Sequence, residues 1–210
     1  MKHISFDMEG TLIDHGYSEH IWGTDIPQLY AEKHGVDLEE ARIRVFKEYD
    51  NIGDARPEWY DVGYWFKRLG LPGDWRELPE KRRHLIRVYP DAKMVLEALE
   101  SESPLVVSSN TIREFLEVQV EEVGDCFTHV FSAPSDYQSV KKDQSFYRRI
   151  IEVLGIEPHE MIHVGDHYMY DYLAAKSIGV EAYHLDRTGN TMGEDTLGSL
   201  TDLMERLKKT

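Results

Sequence analysis

Residues 3–11 have the sequence HISFDMEGT, in which a short apolar run is followed by two acidic residues, a glycine and a threonine. The run at 3–6 predicts a β-strand, and Asp7 comes directly after its carboxyl end. In open α/β sheets, ligands bind beyond the carboxyl ends of the strands. Asp7 and Glu9 are therefore the first candidate functional residues.

The second half of the chain alternates between strand-like and helix-like patterns. Strands are predicted at 105–108, 129–132, 161–164 and 180–185, and helices at 111–123, 143–154, 170–177 and 197–208. Such alternation favours right-handed crossovers between parallel strands. We therefore predict an α/β fold with a doubly wound, mostly parallel sheet.

The stretch between these regions has a different pattern. Residues 15–89 contain no convincing strand, but they show helical spacing at 26–34, 38–49, 58–69 and 75–88, separated by glycine and proline. We predict a helical cap domain at 15–89, inserted into a core domain formed by residues 1–14 and 90–210. The aromatic residues of this stretch, Trp59 among them, are expected mainly to fill the interior of the helical bundle.

Composition narrows the possible partners. The 210 residues suit one domain with a modest insertion, and a hydrophobic fraction of 41% is typical of a folded globular protein. The formal net charge of −15 argues against a nucleic-acid partner, which requires clustered basic residues. The same charge would repel an anionic substrate at long range, so any phosphate site must be locally positive.

Location is predicted from two further features. No apolar run approaches the roughly 20 residues of a membrane helix, and no signal-peptide pattern precedes the first strand, so we expect no membrane partner. Cys126 is the only cysteine and cannot form an intrachain disulfide. These features favour a cytoplasmic protein. The sequence leaves open whether it is a monomer or a homodimer.

Other polar residues follow the remaining predicted strands. Ser109 and Asn110 come after 105–108, Asp166 comes after 161–164, and a lysine pair precedes the helix at 143–154. Clustered carboxylates repel one another unless a cation lies among them, and oxygen ligands favour Mg²⁺. A free carboxylate can attack phosphorus, while hydroxyl, amide and lysine groups hold the phosphate oxygens. The pattern thus predicts phosphoryl-transfer chemistry.

The four groups resemble the motifs of the haloacid dehalogenase superfamily in their order along the chain. They are Asp7-Met8-Glu9-Gly10-Thr11, Ser109-Asn110, Lys141-Lys142-Asp143, and Gly165-Asp166 with Asp171. The resemblance covers residues 3 to about 185, and the helical insertion resembles that superfamily's cap between the first and second motifs. It implies a Mg²⁺-dependent phosphatase that hydrolyses a small phosphorylated metabolite through an aspartyl-phosphate.

The resemblance also implies roles for individual residues. Asp7 would be the nucleophile and a metal ligand. Glu9 would be the general acid/base, with its backbone carbonyl as a further metal ligand. The other implied roles are phosphate binding by Ser109 and Asn110, neutralisation of Asp7 by Lys141, and magnesium binding by Asp166 and Asp171. Apart from the resemblance, Arg56 is a candidate substrate contact in the cap, and Lys142 is expected to be a solvated neighbour.

Glu9 departs from the superfamily pattern, since most of its phosphatases have aspartate at this position. The extra methylene moves the acidic proton by about 1.5 Å, and a shift of that order costs about a hundredfold in rate if nothing compensates. Glutamate occurs at this position in the enolase-phosphatase branch, which also has a lysine followed shortly by serine and tyrosine. Lys141 followed by Ser145, Phe146 and Tyr147 resembles that pattern loosely. An enolase-phosphatase activity is therefore the second candidate.

Three further classes of protein share parts of this pattern. The superfamily's 2-haloacid dehalogenases attack carbon without a metal and lack the paired acids of the fourth motif, so Asp166 and Asp171 favour phosphate. Receiver-like signalling modules place the phosphorylated aspartate after a later strand and have no helical insertion. The third class is a degenerate protein that uses Glu9 to bind phosphate without turnover.

Overall fold

The computed structural model describes residues 2–208 and contains a six-stranded parallel sheet. Its strand order is β3-β2-β1-β4-β5-β6. The strands are β1 (His3–Phe6), β2 (Leu105–Ser109), β3 (Phe127–Ser132), β4 (Met161–Gly165), β5 (Glu181–Leu185) and β6 (Thr196–Leu197). The chain winds outward in both directions from β1, which confirms the predicted doubly wound α/β fold.

Alternate residues of the strands face two separate apolar layers. On β2, Leu105 and Val107 pack into one layer and Val106 packs into the other. The first layer is covered by α6 (Pro90–Leu99), α7 (Arg113–Val123) and α11 (Leu200–Leu207), and the second by α9 (Gln144–Leu154) and α10 (Ala174–Lys176). Burial on both faces explains the nearly continuous apolar runs of the central strands.

The segment between β1 and α6 is helical. It contains α1 (Gly16–His20), a π-helical segment (Ile21–Asp25), α2 (Ile26–His34), α3 (Leu38–Ile52), a 3₁₀ turn (Pro57–Trp59), α4 (Val62–Leu69), α5 (Glu77–Arg82) and a second 3₁₀ turn (Arg83–Leu85). Trp65 is fully buried, and its ring meets that of Tyr49 edge to face at 4.6 Å. The helical character of this insertion agrees with the sequence, whereas the domain boundaries at 15 and 89 stay a prediction.

Several predicted boundaries differ from the structure. The helix expected at 170–177 begins as a π-helical segment (Tyr168–Leu173), and the one expected at 75–88 is interrupted, so that α5 is short. The short helix α8 (Ala133–Tyr137) and strand β6 have too few residues for a periodic signal. Within residues 2–208, every helix is too short or too polar to cross a bilayer.

Register brings the candidate residues to one edge of the sheet. Phe6 lies between Val107 on β2 and Val164 on β4. The backbone N–H of Asp7 donates to the carbonyl of Val164 at 2.9 Å. The residues that follow β1, β2 and β4 therefore emerge side by side, as parallel pairing requires.

Candidate active site

Asp7 lies at the centre of a buried charge cluster. Its side chain is only 8% exposed, and its Oδ1 accepts a hydrogen bond from Nζ of Lys142. The same ammonium lies 2.5 Å from Oδ1 of Asp171, which is fully buried. Carboxylate oxygens of Asp7, Asp166 and Asp171 lie within 4.8 Å of one another. The structure thus brings together three of the predicted acids around one lysine.

The prediction that Lys141 contacts Asp7 is wrong, because Lys142 occupies that place. Nζ of Lys141 instead binds Oδ2 of Asp54 at 2.7 Å and lies 4.9 Å from the ring centre of Tyr170. Lys142 directly precedes Asp143, whose carboxylate caps α9 by accepting from the N–H groups of Ser145 and Phe146. The expectation that Lys142 is a solvated neighbour is therefore wrong too, since its side chain is only 3% exposed. Two consecutive lysines carry no signal for which of them points inward.

Two glycines allow the acids to approach the backbone. Gly10 has φ of +79°, and a Cβ there would collide with the Asp166 carboxylate. A Cβ on Gly165 would collide with the carboxylate of Asp171. Larger residues at these positions would push two of the three acids away from Asp7.

A buried hydrogen-bond network fixes the carboxylate of Asp171. Its Oδ1 lies 3.0 Å from Nε2 of His163, whose Nδ1 lies 2.9 Å from Oγ of Ser5. The other oxygen, Oδ2, accepts from the backbone N–H of His167 at 2.9 Å. Burial lowers the pKa of His163 against the opposing effect of Asp171, which favours the neutral form of its imidazole. With both oxygens engaged, Asp171 is well placed to fix Lys142 in position.

The buried cluster contains more carboxylates than basic groups. Burial raises the pKa of Asp7 well above its ordinary value, and the nearby Asp171 and Asp166 add to this effect against the attraction of Lys142. Burial would also raise the pKa of Asp171, but Lys142 and His163 outweigh it and the net direction is downward. One lysine for three carboxylates leaves excess negative charge, which favours an additional cation at this place.

Glu9 lies apart from the three acids and has its own partners. Its Oε1 accepts from Oγ of Ser18 and, at 2.5 Å, from Nε2 of the buried Gln119. Burial raises the pKa of Glu9 to about 7, even though both hydrogen bonds favour the charged form. Ser18 and Gln119 were missed from sequence because they lie on α1 and α7, far from any recognisable motif.

His15 is a third residue that the sequence did not indicate. Its Nε2 lies 3.4 Å from Oδ2 of Asp166. The hydrogen bond to Asp166 raises the pKa of His15 to about 9, so the imidazole is protonated at neutral pH. His15 therefore supplies a half-exposed positive charge at the rim of the cluster.

Ser109 and Asn110 extend the site from the end of β2. Oγ of the buried Ser109 accepts from the N–H of Thr111 at 3.1 Å. Oδ1 of Asn110 is buried without a hydrogen-bond partner. Asn110 and Glu9 both line a cavity of about 360 Å³ between the sheet edge and the helical insertion. An unpaired polar atom beside a cavity is suited to binding a ligand.

Arg56 does not join this group. Its guanidinium pairs with Glu58 at 2.5 Å and is largely exposed, whereas the nearby Trp59 and Tyr60 do line the cavity. The exposed ion pair explains why this cationic side chain stays at the surface. Arg56 is therefore left out of the proposed site.

The sequence of the chain is similar to those of known hydrolases. The family model "haloacid dehalogenase-like hydrolase" matches residues 1–179. The chain is 25% identical over 165 residues to the GMP/IMP nucleotidase YrfG of Escherichia coli, covering 78% of this chain and 73% of that protein. It is 24% identical over 201 residues to a glyceraldehyde 3-phosphate phosphatase of Pyrococcus furiosus, covering 86% and 79% respectively.

Solved structures of hydrolases from the same family have the same fold as this chain. A phosphatase of this family from Thermococcus onnurineus superimposes with a TM-score of 0.83 at 28% identity, covering 99% of this chain and 98% of that one. The L-2-haloacid dehalogenase of Xanthobacter autotrophicus has a TM-score of 0.63 at 19% identity, which shows the shared fold alone. The sequence motifs, the sheet and the comparisons lead to one assignment. The chain belongs to the haloacid dehalogenase-like hydrolases, as an enzyme of the phosphatase type.

Proposed function

We propose that the protein hydrolyses small phosphate monoesters with the help of Mg²⁺, through an aspartyl-phosphate on Asp7. One observation carries the proposal: a buried carboxylate at the end of β1 is paired with Lys142 and surrounded by Asp166 and Asp171. The relatives named as a nucleotidase and as a glyceraldehyde 3-phosphate phosphatase both act on phosphate monoesters, which supports the same reaction class.

The residues present fit a magnesium ion. Asp7 and Asp166 offer carboxylate oxygens, with the backbone carbonyl of Glu9 as a further predicted ligand, and an all-oxygen set suits Mg²⁺. Asp171 lies within reach as well, although its contacts to Lys142 and His163 favour an orienting role. Such an ion would offset the excess negative charge and neutralise phosphate oxygens.

The chain's own residues divide the reaction into two steps. In the first, the Asp7 carboxylate attacks phosphorus while Glu9 protonates the leaving-group oxygen. In the second, Glu9 removes a proton from water, which attacks the phosphoryl group and restores Asp7. Lys142, Ser109 and Asn110 stabilise the charge on the phosphoryl oxygens. A pKa of about 7 lets Glu9 serve as acid and base in turn.

The proposed activity can be tested by measuring phosphate release from a panel of phosphate monoesters. We expect release with Mg²⁺ and its loss in EDTA, since the carboxylates repel both one another and the substrate without the ion. Halide release from 2-haloacids in EDTA would instead support a dehalogenase. Failure to hydrolyse any ester with Mg²⁺ would contradict the proposal and leave phosphate binding without turnover.

The role of Glu9 predicts a specific loss. Replacing Glu9→Gln keeps the shape and a polar partner for Ser18 and Gln119 but removes the proton carrier. We expect kcat to fall by about 10²- to 10⁴-fold, the usual contribution of general acid–base catalysis. Mg²⁺ and vanadate binding, measured by calorimetry, should change little. Turnover equal to that of the wild type would rule out Glu9 as the proton carrier.

A further inference from the structure

Aromatic side chains are the largest group in the wall of the cavity beside Glu9. Five aromatic residues line its volume of about 360 Å³: Trp22, Tyr49, Trp59, Tyr60 and Phe115. Hydrogen bonds fix two of the walls, since Oη of Tyr49 donates to the carbonyl of Trp22 at 3.3 Å and Nε1 of Trp65 donates to the carbonyl of Trp59 at 3.2 Å. The cavity is therefore a preformed aromatic pocket.

The ionisable carboxyl groups of the pocket lining are not matched by basic side chains. Glu9 and Glu19 line it, and among the described lining residues there is no lysine, arginine or histidine. Two basic side chains lie close to the pocket but outside its lining: His15, which pairs with Asp166, and Lys141, which pairs with Asp54. A second anionic group on the substrate would be repelled by Glu19, and the nearby cations are already paired with carboxylates.

The position of Glu9 decides which part of a substrate occupies this pocket. The proposed general acid must touch the oxygen of the leaving group, and Glu9 is one of the residues that line the pocket. The rest of the leaving group must then extend toward the aromatic walls. A three-carbon alcohol would leave most of this volume to water, whereas a ring-bearing alcohol would bury its faces against Trp22 and Trp59.

We propose that the enzyme prefers phosphate monoesters whose leaving group is an uncharged alcohol bearing an aromatic ring, of the size of a nucleoside. This inference rests on the proposed phosphatase function, and it adds the substrate class. Aromatic walls give stacking surface, and the absence of a cation in the described lining disfavours carboxylated or bisphosphorylated alcohols.

Two matched substrate pairs test the ring and the charge separately. GMP and ribose 5-phosphate share the ribose phosphate and differ in the base. Glyceraldehyde 3-phosphate and 3-phosphoglycerate have the same carbon chain but differ in a carboxylate. We expect kcat/KM to be about tenfold or more higher for GMP than for ribose 5-phosphate, and about threefold or more higher for glyceraldehyde 3-phosphate than for 3-phosphoglycerate.

Substitutions in the pocket test whether it causes the preference for an aromatic ring and the preference against a second charge. Trp59→Leu should lower the GMP to ribose 5-phosphate ratio about tenfold. Trp75→Leu, the same change in a tryptophan outside this cavity, should leave the ratio unchanged. Glu19 is exposed, so Glu19→Gln is a structurally mild change. It should lower the ratio of kcat/KM for glyceraldehyde 3-phosphate to kcat/KM for 3-phosphoglycerate.

The outcomes separate this inference from the function on which it rests. Release from the small esters with no advantage for GMP would overturn the inference and leave the phosphatase proposal standing. Should Trp59→Leu fail to fold, the wild-type comparison of the two pairs still decides. No release from any of the four esters would overturn the proposed function, and the inference with it.

Discussion

Asp7→Asn is expected to reduce phosphate release by at least about a thousandfold, because it removes the nucleophile that forms the covalent intermediate. Asparagine has nearly the same shape and can still accept a hydrogen bond from Lys142, which also keeps its contact with Asp171. Steady-state phosphate release from the best ester measures the effect. Residual activity within tenfold of the wild type would exclude Asp7 as the nucleophile.

The same variant should separate activity from stability. Burial raises the pKa of Asp7, so its ionised form costs stability above its ordinary titration range, and this cost persists as pH rises. Asparagine carries no such cost. In EDTA at pH 7 or above, the thermal midpoint of the variant should equal or exceed that of the wild type. A lower midpoint would show that the loss of activity includes a loss of folding.

Lys142→Met is expected to abolish activity and to lower the free energy of unfolding by about 3–5 kcal/mol, the cost of leaving buried carboxylates without their partner. Asp7 and Asp171 would then face each other with no ammonium between them. The destabilisation should shrink as pH falls, because protonating either carboxylate removes the repulsion. Urea unfolding of the wild type and the variant at two pH values in EDTA measures this difference in the free energy of unfolding.

Lys141→Met is the matched control, since it makes the same change one residue earlier. It removes the contact with the exposed Asp54 and the contact with the Tyr170 ring, and leaves Asp7 and Asp171 paired, so we expect the stability and phosphate release to stay close to the wild type. If Lys141→Met lost activity while Lys142→Met retained it, the placement of the two lysines would be contradicted.

The sequence predicted the fold and most of the site because both depend on local patterns. The alternating strands and helices indicated a parallel sheet, and parallel strands place Asp7, Ser109 and Asp166 at one edge. The sequence did not indicate a role for the glycines of the first and fourth motifs, and the structure shows that Gly10 and Gly165 are needed for the close approach of Asp166 and Asp171.

The residues that the sequence did not predict depend on long-range packing. Gln119 lies 110 positions from Glu9 along the chain and reaches it only because α7 packs beside the end of β1. His15 meets Asp166 across a loop, and the choice between Lys141 and Lys142 depends on how one loop enters α9. Gln119 and His15 adjust the charge of the site without belonging to any of the four motifs.

The most direct test of the account is to trap the phosphorylated Asp7. In Glu9→Gln, p-nitrophenyl phosphate should still phosphorylate the enzyme, because its leaving group needs no proton, while the missing base slows hydrolysis of the intermediate. Acid quenching, proteolysis and mass spectrometry should show one phosphoryl group on Asp7, together with a burst of about one p-nitrophenolate per enzyme. Steady release without a burst, with Asp7 unmodified or another residue phosphorylated, would contradict the account.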